Sequence, residues 1–348
     1  MKTITVKTFL LTLTVLLTTG CQMGYLVKSG YNQMKLLGSR TPLDEALQSS
    51  QLTEEEKRKL RLAQEARHFA ESVLHLTPTK NYTSYVQLDR PYVTYVVSAA
   101  PRWELKHHEW SYPLVGKMPY KGYFNEADAK TEEQELQKEE LDTYLRGVSA
   151  YSTLGWFKDP ILSSMLRYDD YDLVNTIIHE TVHATLYIKH AADFNEQLAT
   201  FMGHKGAEKF YEKKEGANSV TLKAVQLENA DAKIFSEFIS QEIKSLEKWY
   251  QELAENSRNE DARQTRINQI QQKFKAEILP KLKTDVYKTF PNIALNNARL
   301  LVYKTYMQDL SDFEALYKKV DEDFKKFIEK CKSLESSKNP SEDLKNLR

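Results

Sequence analysis

The chain has 348 residues with 41% hydrophobic content, and its 49 lysine and arginine residues balance 49 aspartate and glutamate residues. This composition provides enough apolar material for one large core or for two domains. The balanced charge, without a basic block interleaved with aromatic residues, argues against nucleic acid as a partner.

Residues 1–20 have the pattern of a lipoprotein signal peptide. Lysines precede an apolar run over residues 9–17, and Thr18-Thr19-Gly20 leads to Cys21. The apolar run is too short to span a bilayer as a stable helix, and small residues before a cysteine are typical of a lipoprotein cleavage site. We therefore predict export, with Cys21 lipidated as the first mature residue and holding the protein at the membrane. The alternative is a secreted soluble protein in which this cysteine is incidental.

Two further positions extend this prediction. Gln22, rather than an aspartate, follows the cysteine and favours the outer membrane over the inner membrane. Cys331 would be the remaining cysteine once Cys21 is lipidated. No intramolecular disulfide could then form, so stability must come from packing.

Residues 24–157 predict helices, then strands, then one helix and a stretch of extended chain. Residues 24–76 predict helices, and Thr53 to Glu56 form a capping box ahead of a long amphipathic run. From Tyr82 to Phe124, tyrosine, valine, threonine and tryptophan recur at near-alternate positions between prolines, which predicts three or four strands. Residues 125–146 predict a charged helix, and residues 147–157 predict extended chain.

The segment His179-Glu180-Thr181-Val182-His183 has the spacing of a zinc hydrolase helix. Residues four apart on a helix lie one above the other, so His179 and His183 can bind one Zn²⁺ ion. Glu180 is rotated away from the ligands, so its carboxylate can take a proton from the attacking water and pass it to the leaving amine. The flanking residues contain no glycine or proline and are apolar enough for a buried helix. We predict one zinc ion per chain, with Glu180 as the general base.

A catalytic zinc ion needs a third protein ligand from a second element, because a straight helix cannot wrap another side chain around the ion. A turn near residues 189–192 would send a second helix back antiparallel and bring Glu196 nearly level with His183. The small Ala199, one turn further on, would let the two helices approach closely. In the alternative, Asp193 caps the second helix and Glu196 only completes a capping box.

Residues 148–156 are the candidate for a substrate-binding strand. Zinc peptidases usually hold the substrate backbone as an added strand at a sheet edge beside the metal helix. The small residues Ala150, Ser152 and Gly155 would allow a backbone to approach, and Tyr151 could donate a hydrogen bond to the oxyanion. In the alternative, Tyr151 is a core aromatic residue of a β-strand.

The chain resembles the glutamate-zincins, in which H-E-x-x-H is followed by a helix with N-E-x-x-A. More specifically, it resembles a bacterial family of zinc aminopeptidases that look like lipoproteins. This resemblance covers nearly the whole mature chain and rests on the histidine motif together with residues 112–124, 146–160, 195–203 and 296–298. It implies a zinc peptidase, and it implies that Asn297 contacts the substrate.

The remainder of the chain predicts charged helices. Residues 214–332 predict a helical subdomain that covers one wall of the cleft. Its last part carries Tyr303 and Tyr306, which are alternative donors to the oxyanion. Residues 333–348 are polar and predict a disordered tail.

Together these observations predict an α+β fold that is predominantly α, with a small, mainly antiparallel sheet beside the metal helix and a C-terminal helical subdomain. Residues 21–213 would form the catalytic domain. The predicted function is a membrane-anchored zinc peptidase, in the periplasm, that acts on peptide substrates, and the resemblance favours an aminopeptidase. No acidic residue stands out as the site for a substrate α-ammonium group, so exopeptidase and endopeptidase action both remain open. The alternatives are a zinc amide hydrolase of non-peptide envelope material and a non-catalytic envelope-binding lipoprotein.

Overall fold

The computed structural model describes residues 23–112, 116–153, 157–307 and 310–348. The longest helix of the N-terminal part begins at a side-chain cap. Thr53 Oγ1 accepts a hydrogen bond from the Glu56 backbone N–H, and the Glu56 carboxylate accepts one from Thr53, which is the predicted capping box. The first four helices are α1 (residues 23–38), α2 (Leu43–Gln48), α3 (Glu54–Ser72) and α4 (Glu126–Lys138).

Two strands have eight residues each, and the others have two or three. β3 is the centre of a three-stranded antiparallel sheet with the order β6-β3-β7, so β7 forms one edge. A second sheet has the order β1-β2-β8, and β4 and β5 form a two-stranded ribbon. The strands are β1 (Thr41–Pro42), β2 (Ser84–Val86), β3 (Thr94–Pro101), β4 (Trp110–Tyr112), β5 (Gly116–Met118), β6 (Lys121–Tyr123), β7 (Leu141–Val148) and β8 (Ile161–Leu162).

Helices α5 (Asp170–Thr185) and α6 (Ala192–Glu215) form the predicted antiparallel hairpin. Asp169 caps α5 by accepting a hydrogen bond from the Asp172 backbone N–H. Small residues let the two helices approach closely, since a Cβ atom at Gly203 would lie only 2.1 Å from Asn175 Oδ1. This close approach brings the side chains on the facing surfaces of the hairpin within reach of one another.

The C-terminal helices divide between two cores. Helices α7 to α9 surround a core that includes Phe235, Phe274 and Leu301, whereas α10 to α12 join the core of the hairpin through Phe313, Phe327 and Leu344. The predicted 214–332 subdomain is therefore shared between these two cores. The helices are α7 (Val220–Glu252), α8 (Glu260–Lys273), α9 (Asn297–Tyr306), α10 (Ser311–Lys319), α11 (Phe324–Lys332) and α12 (Pro340–Leu347).

The predicted fold class is confirmed, since the protein is predominantly helical with small, mainly antiparallel sheets. Two boundaries were wrong. The charged helix ends at Lys138, and residues 141–148 form β7, because this stretch pairs along its length with β3. The predicted disordered tail contains α12, whose Leu344 is 2% exposed and anchors the helix in the hairpin core. Among the described residues, no helix is both long and apolar enough to cross a bilayer.

Successive side chains of β7 point to opposite faces of the sheet, so the strand contributes different residues to each face. Leu141 and Leu145 pack in the small core beneath α4. On the opposite face lie Asp142, which bonds to the first residue of α9, and Arg146, which contacts the last. This second face leads to the cavity described next.

Candidate metal centre

Three side chains from the helical hairpin converge at one point. The Nε2 atoms of His179 and His183 are 3.2 Å apart, and Glu196 carboxylate oxygens lie 3.3 Å and 3.6 Å from these nitrogens. Ligands at the corners of a tetrahedron around zinc, with bonds of about 2.0–2.1 Å, are separated by about 3.3 Å. The donor set and its spacing therefore fit a single metal ion.

The connection between the two helices is fixed by Asn195, the residue before the third ligand. Its Oδ1 accepts a hydrogen bond from the Ile188 backbone N–H at 2.9 Å, and its Nδ2 donates to the Ile188 carbonyl at 2.8 Å. Asn195 is 1% exposed, so both bonds are shielded from water. The asparagine of the N-E-x-x-A pattern thus positions Glu196, a role that the sequence analysis did not assign.

The capping alternative for Glu196 is wrong. Helix α6 begins after Ala191, which provides no side-chain cap. Asp193 instead accepts a hydrogen bond of 3.0 Å from the Thr305 hydroxyl. The Glu196 carboxylate does not cap the helix and faces the two histidines.

The pKa values of Glu196 and His183 show that this cluster favours a positive charge among its three side chains. Burial alone would raise the pKa of Glu196, but His183 and His179 outweigh it and hold that pKa well below its ordinary value. Burial would lower the pKa of His183, but Glu196 outweighs it and raises that pKa. A divalent cation bound here would provide the positive charge that a proton provides otherwise.

Glu180 is next to the cluster but is not part of the ligand set. Burial raises its pKa against the opposing effect of His179 and His183, and Glu196 adds to the increase. A carboxyl group with a raised pKa is better matched to accepting and returning a proton near neutral pH. The position and environment of Glu180 both suit a general base.

A cavity of about 540 Å³ contains the cluster, and six tyrosines are among its lining residues. Val148, Ala150 and Ser152 also line it, although only Val148 lies within a strand. The lining thus includes two of the predicted substrate-binding residues. Gly155 and the lipidation site Cys21 lie outside the described residues. The lining tyrosines are Tyr25, Tyr120, Tyr151, Tyr168, Tyr187 and Tyr306.

Two tyrosines of this cavity differ in how their hydroxyl groups are used. The Tyr151 hydroxyl donates to Gln33 Oε1, so its proton is already used within the protein. Burial raises the pKa of Tyr306, and the nearby charge of Glu196 raises it further, so its hydroxyl stays protonated. Tyr306 is therefore the better donor to a developing oxyanion. Tyr303, the other tyrosine of α9 that the sequence suggested, packs on Phe235 in the second core.

The prediction that Asn297 binds substrate is wrong. Its side chain is fully buried, accepts a hydrogen bond from the Tyr250 hydroxyl at 2.9 Å, and donates to the carbonyls of Pro101 and Arg102. It does not line the cavity of the histidine cluster. Asn297 holds the start of α9 against the end of β3, which is a structural role.

Comparison with known proteins gives one match. Residues 24–346 match the model of a protein family described as "Putative aminopeptidase". No curated protein and no solved structure matches the chain.

Proposed function

The chain belongs to this aminopeptidase family, and on that premise we propose that it is a zinc-dependent peptidase. One observation carries the proposal: two histidines and a glutamate fit a single ion inside a cavity that also contains an uncommitted glutamate, Glu180. Two imidazoles with one carboxylate form the ligand set of several catalytic zinc sites. A purely structural site would gain nothing from a base in this position.

The chemistry divides between the ion and the side chains. A bound zinc ion would supply the Lewis acidity that polarises a peptide carbonyl and acidifies water. Glu180 would take the proton from water as the oxygen attacks the carbonyl carbon, and would return it to the amide nitrogen as the C–N bond breaks. The Tyr306 hydroxyl would donate a hydrogen bond to the carbonyl oxygen as negative charge develops there.

The proposed substrate site lies along the end of β7. This strand is an edge of its sheet, and an extended peptide can pair with such an edge through backbone hydrogen bonds. Val148 at the end of the strand and the following Ala150 both line the cavity. A peptide bound along this segment would pass the metal cluster.

We also propose that the protein is exported and lipid-anchored at Cys21, with its catalytic part in the periplasm. The helix that begins shortly after this cysteine supports a membrane position. Four apolar side chains form one exposed stripe on α1, while its opposite side lines the cavity through Tyr25 and Gln33. A stripe of this kind can rest in the lipid interface. Its members are Met23, Val27, Tyr31 and Met34, each 58% to 69% exposed.

The membrane proposal is tested with the chain starting at Gln22, so that no lipid is attached. This chain should sediment with anionic vesicles, and Val27→Glu with Tyr31→Glu should abolish the sedimentation. The matched control places a glutamate at Leu227, another exposed apolar residue. Equal sedimentation of all three chains would contradict a role for the stripe.

The peptidase proposal is tested by comparing the native chain with Glu180→Gln on a mixed peptide library, with bound zinc measured in both. We expect equal zinc content and a loss of cleavage of at least about 100-fold, the usual minimum for removing a general base. Glu212→Gln, on the exposed side of α6, is the matched control and should cleave normally. Native cleavage by the Glu180 variant would overturn the base assignment. A zinc-loaded native chain that cuts no peptide would overturn the peptidase proposal.

A further inference from the structure

The cavity of the metal cluster contains an arginine without a carboxylate partner. Arg146, on β7, lines the cavity, and its guanidinium carbon lies 5.5 Å from the centroid of the Tyr306 ring. Its Nε atom is buried and has no hydrogen-bond partner. Within the part of the chain that the structure describes, Arg146 forms no ion pair. Arg146 as a residue is partly buried, and its side chain is hydrogen-bonded to Tyr306, but no anion neutralises it. Proteins normally pair a guanidinium with an anion where water has limited access to it.

The groups around Arg146 leave its charge uncompensated. Tyr120, Tyr168 and Tyr306 are close enough to interact with it electrostatically, and burial raises the pKa of each phenol. These rings therefore stay uncharged near neutral pH. The Tyr306 ring contacts the guanidinium and its hydroxyl is hydrogen-bonded to Arg146, but none of the three tyrosines contributes a neutralising charge.

The carboxylates of the cavity are already committed. Among the described lining residues these are Glu196, which faces the two histidines, and Glu180, the proposed base. No further carboxylate is present in this set to bind a substrate α-ammonium group. The charge that remains without a counter-charge in the cavity is therefore the positive charge of Arg146. It favours a substrate group that is negatively charged.

We propose that Arg146 binds a substrate carboxylate, so that the preferred substrates are peptides with a carboxylate close to the bond that is cut. A guanidinium can bind a carboxylate through two parallel hydrogen bonds, and the apolar rings around it would strengthen them by excluding water. The carboxylate belongs either to an acidic side chain or to the free C-terminus of the peptide. This inference rests on the proposed peptidase function and adds the class of substrate.

A different role for Arg146 makes a different prediction. If the guanidinium stabilised the oxyanion, its loss would slow every substrate by the same factor, because the oxyanion forms in all of them. A carboxylate-binding residue affects only the substrates that carry the carboxylate. Comparing matched peptides separates the two roles.

The experiment uses three peptides that share one core sequence. One is neutral with an amidated C-terminus, one is neutral with a free C-terminus, and one has a glutamate beside the cut bond and an amidated C-terminus. We expect the native enzyme to cleave one of the two carboxylate peptides at least 10-fold better in kcat/KM than the neutral amide. The peptide that gains identifies the source of the carboxylate.

Variants then locate the preference. Arg146→Gln should remove the preference, so that kcat/KM for the three peptides agrees within about twofold. Arg146→Lys should restore part of the preference, because lysine keeps the charge but not the forked geometry. Arg299→Gln is the matched control, since Arg299 also covers an aromatic ring, that of Tyr144, but is not part of the cavity. An equal loss on all three peptides, or a native enzyme without a preference, overturns the inference.

A binding measurement keeps this test separate from the peptidase proposal. Calorimetry with the zinc-loaded Glu180→Gln chain measures the affinity for the same three peptides without cleavage. Tighter binding of a carboxylate peptide, lost in Arg146→Gln on this background, supports the inference even if no peptide is cut. Equal affinities overturn it, even if the native chain is a peptidase.

Discussion

Two charged clusters lie on the same face of β7, centred on Asp142 and on Arg146, four residues or about 13 Å apart along the strand. At Asp142 the cluster is closed. Both carboxylate oxygens accept hydrogen bonds from Arg263, at 2.7 Å and 3.0 Å, and Arg263 also bonds to Glu260. At Arg146 no carboxylate is present among the described residues, and the guanidinium borders the cavity of the metal cluster.

The difference between Asp142, which has an ion-pair partner, and Arg146, which has none, distinguishes a structural charge from a functional one. A buried cluster in which every member has a protein partner stabilises one packing arrangement and offers nothing to a ligand. A partly buried guanidinium that has no anionic partner, beside a cavity, is neutralised only when an anionic ligand binds. Asn297 belongs to the closed cluster, because its backbone N–H donates to Asp142 at 2.9 Å. Asn297 therefore contributes to the packing of this cluster.

The largest effect should come from opening the closed cluster. Arg263→Gln leaves the buried Asp142 without its ion-pair partner, which should lower the free energy of unfolding by about 3–5 kcal/mol. Arg146→Gln should change it by no more than about 1 kcal/mol, the size of one cation–π contact. Urea unfolding of both variants measures the difference. Comparable losses would mean that Arg146 has a structural partner, and the comparison would fail.

Asn297→Ala should have a smaller effect, on stability alone. It removes the amide that bridges Tyr250 to the carbonyls of Pro101 and Arg102, which should cost about 1–3 kcal/mol. Cleavage per folded molecule should stay within about twofold of native at a temperature where both proteins are folded. A loss of activity without a loss of stability would support the prediction that Asn297 contacts the substrate.

The last effect depends on pH and concerns His204, a histidine on α6 two turns after Glu196. Burial lowers its pKa to about 4, and His179 and Lys205 also disfavour the charged ring. The unfolded chain, with its ordinary histidine pKa of 6.5, then binds more protons than the folded protein between about pH 4 and 6.5. The free energy of unfolding should therefore fall as the pH is lowered through this window, by at most about 1.4 kcal/mol per pH unit.

His204→Gln should flatten this dependence, because glutamine does not titrate. Unfolding of the metal-free chain at pH 7.5, 6 and 5 measures it. His68→Gln, at an exposed position of α3, is the control and should keep the native slope. An unchanged slope in the His204 variant would show that this histidine accepts its proton in the folded protein.

The cluster of His179, His183 and Glu196 could be predicted from sequence, because its three residues lie close together along the chain. The helical period places His179 above His183, and a short hairpin brings Glu196 to them. The capping box at Thr53 is local in the same way. These features depend on residues within a few turns of one another, and there the predictions agree with the structure.

The partners of Asp142, Arg146 and Tyr151 could not be predicted, because each is decided by long-range packing. Asp142 meets Arg263, 121 residues away, and the Tyr151 hydroxyl meets Gln33, 118 residues away. The sequence predicts helix for residues 141–146 of β7 for the same reason, since the charged residues of this strand are explained only by distant partners. The polar composition of the tail predicts disorder, although Pro340 and Leu344 are buried on one side of α12.

The central claim is that His179, His183 and Glu196 hold one metal ion. Zinc titration of the metal-free chain, with a competing chelator to report affinity, tests it most directly. We expect one ion per native chain, unchanged binding in Glu180→Gln and Glu212→Gln, and an affinity at least about 100-fold weaker in Glu196→Gln, since even a supporting contact is worth about 10–100-fold. Equal zinc affinity of Glu196→Gln and the native chain would contradict the proposed centre.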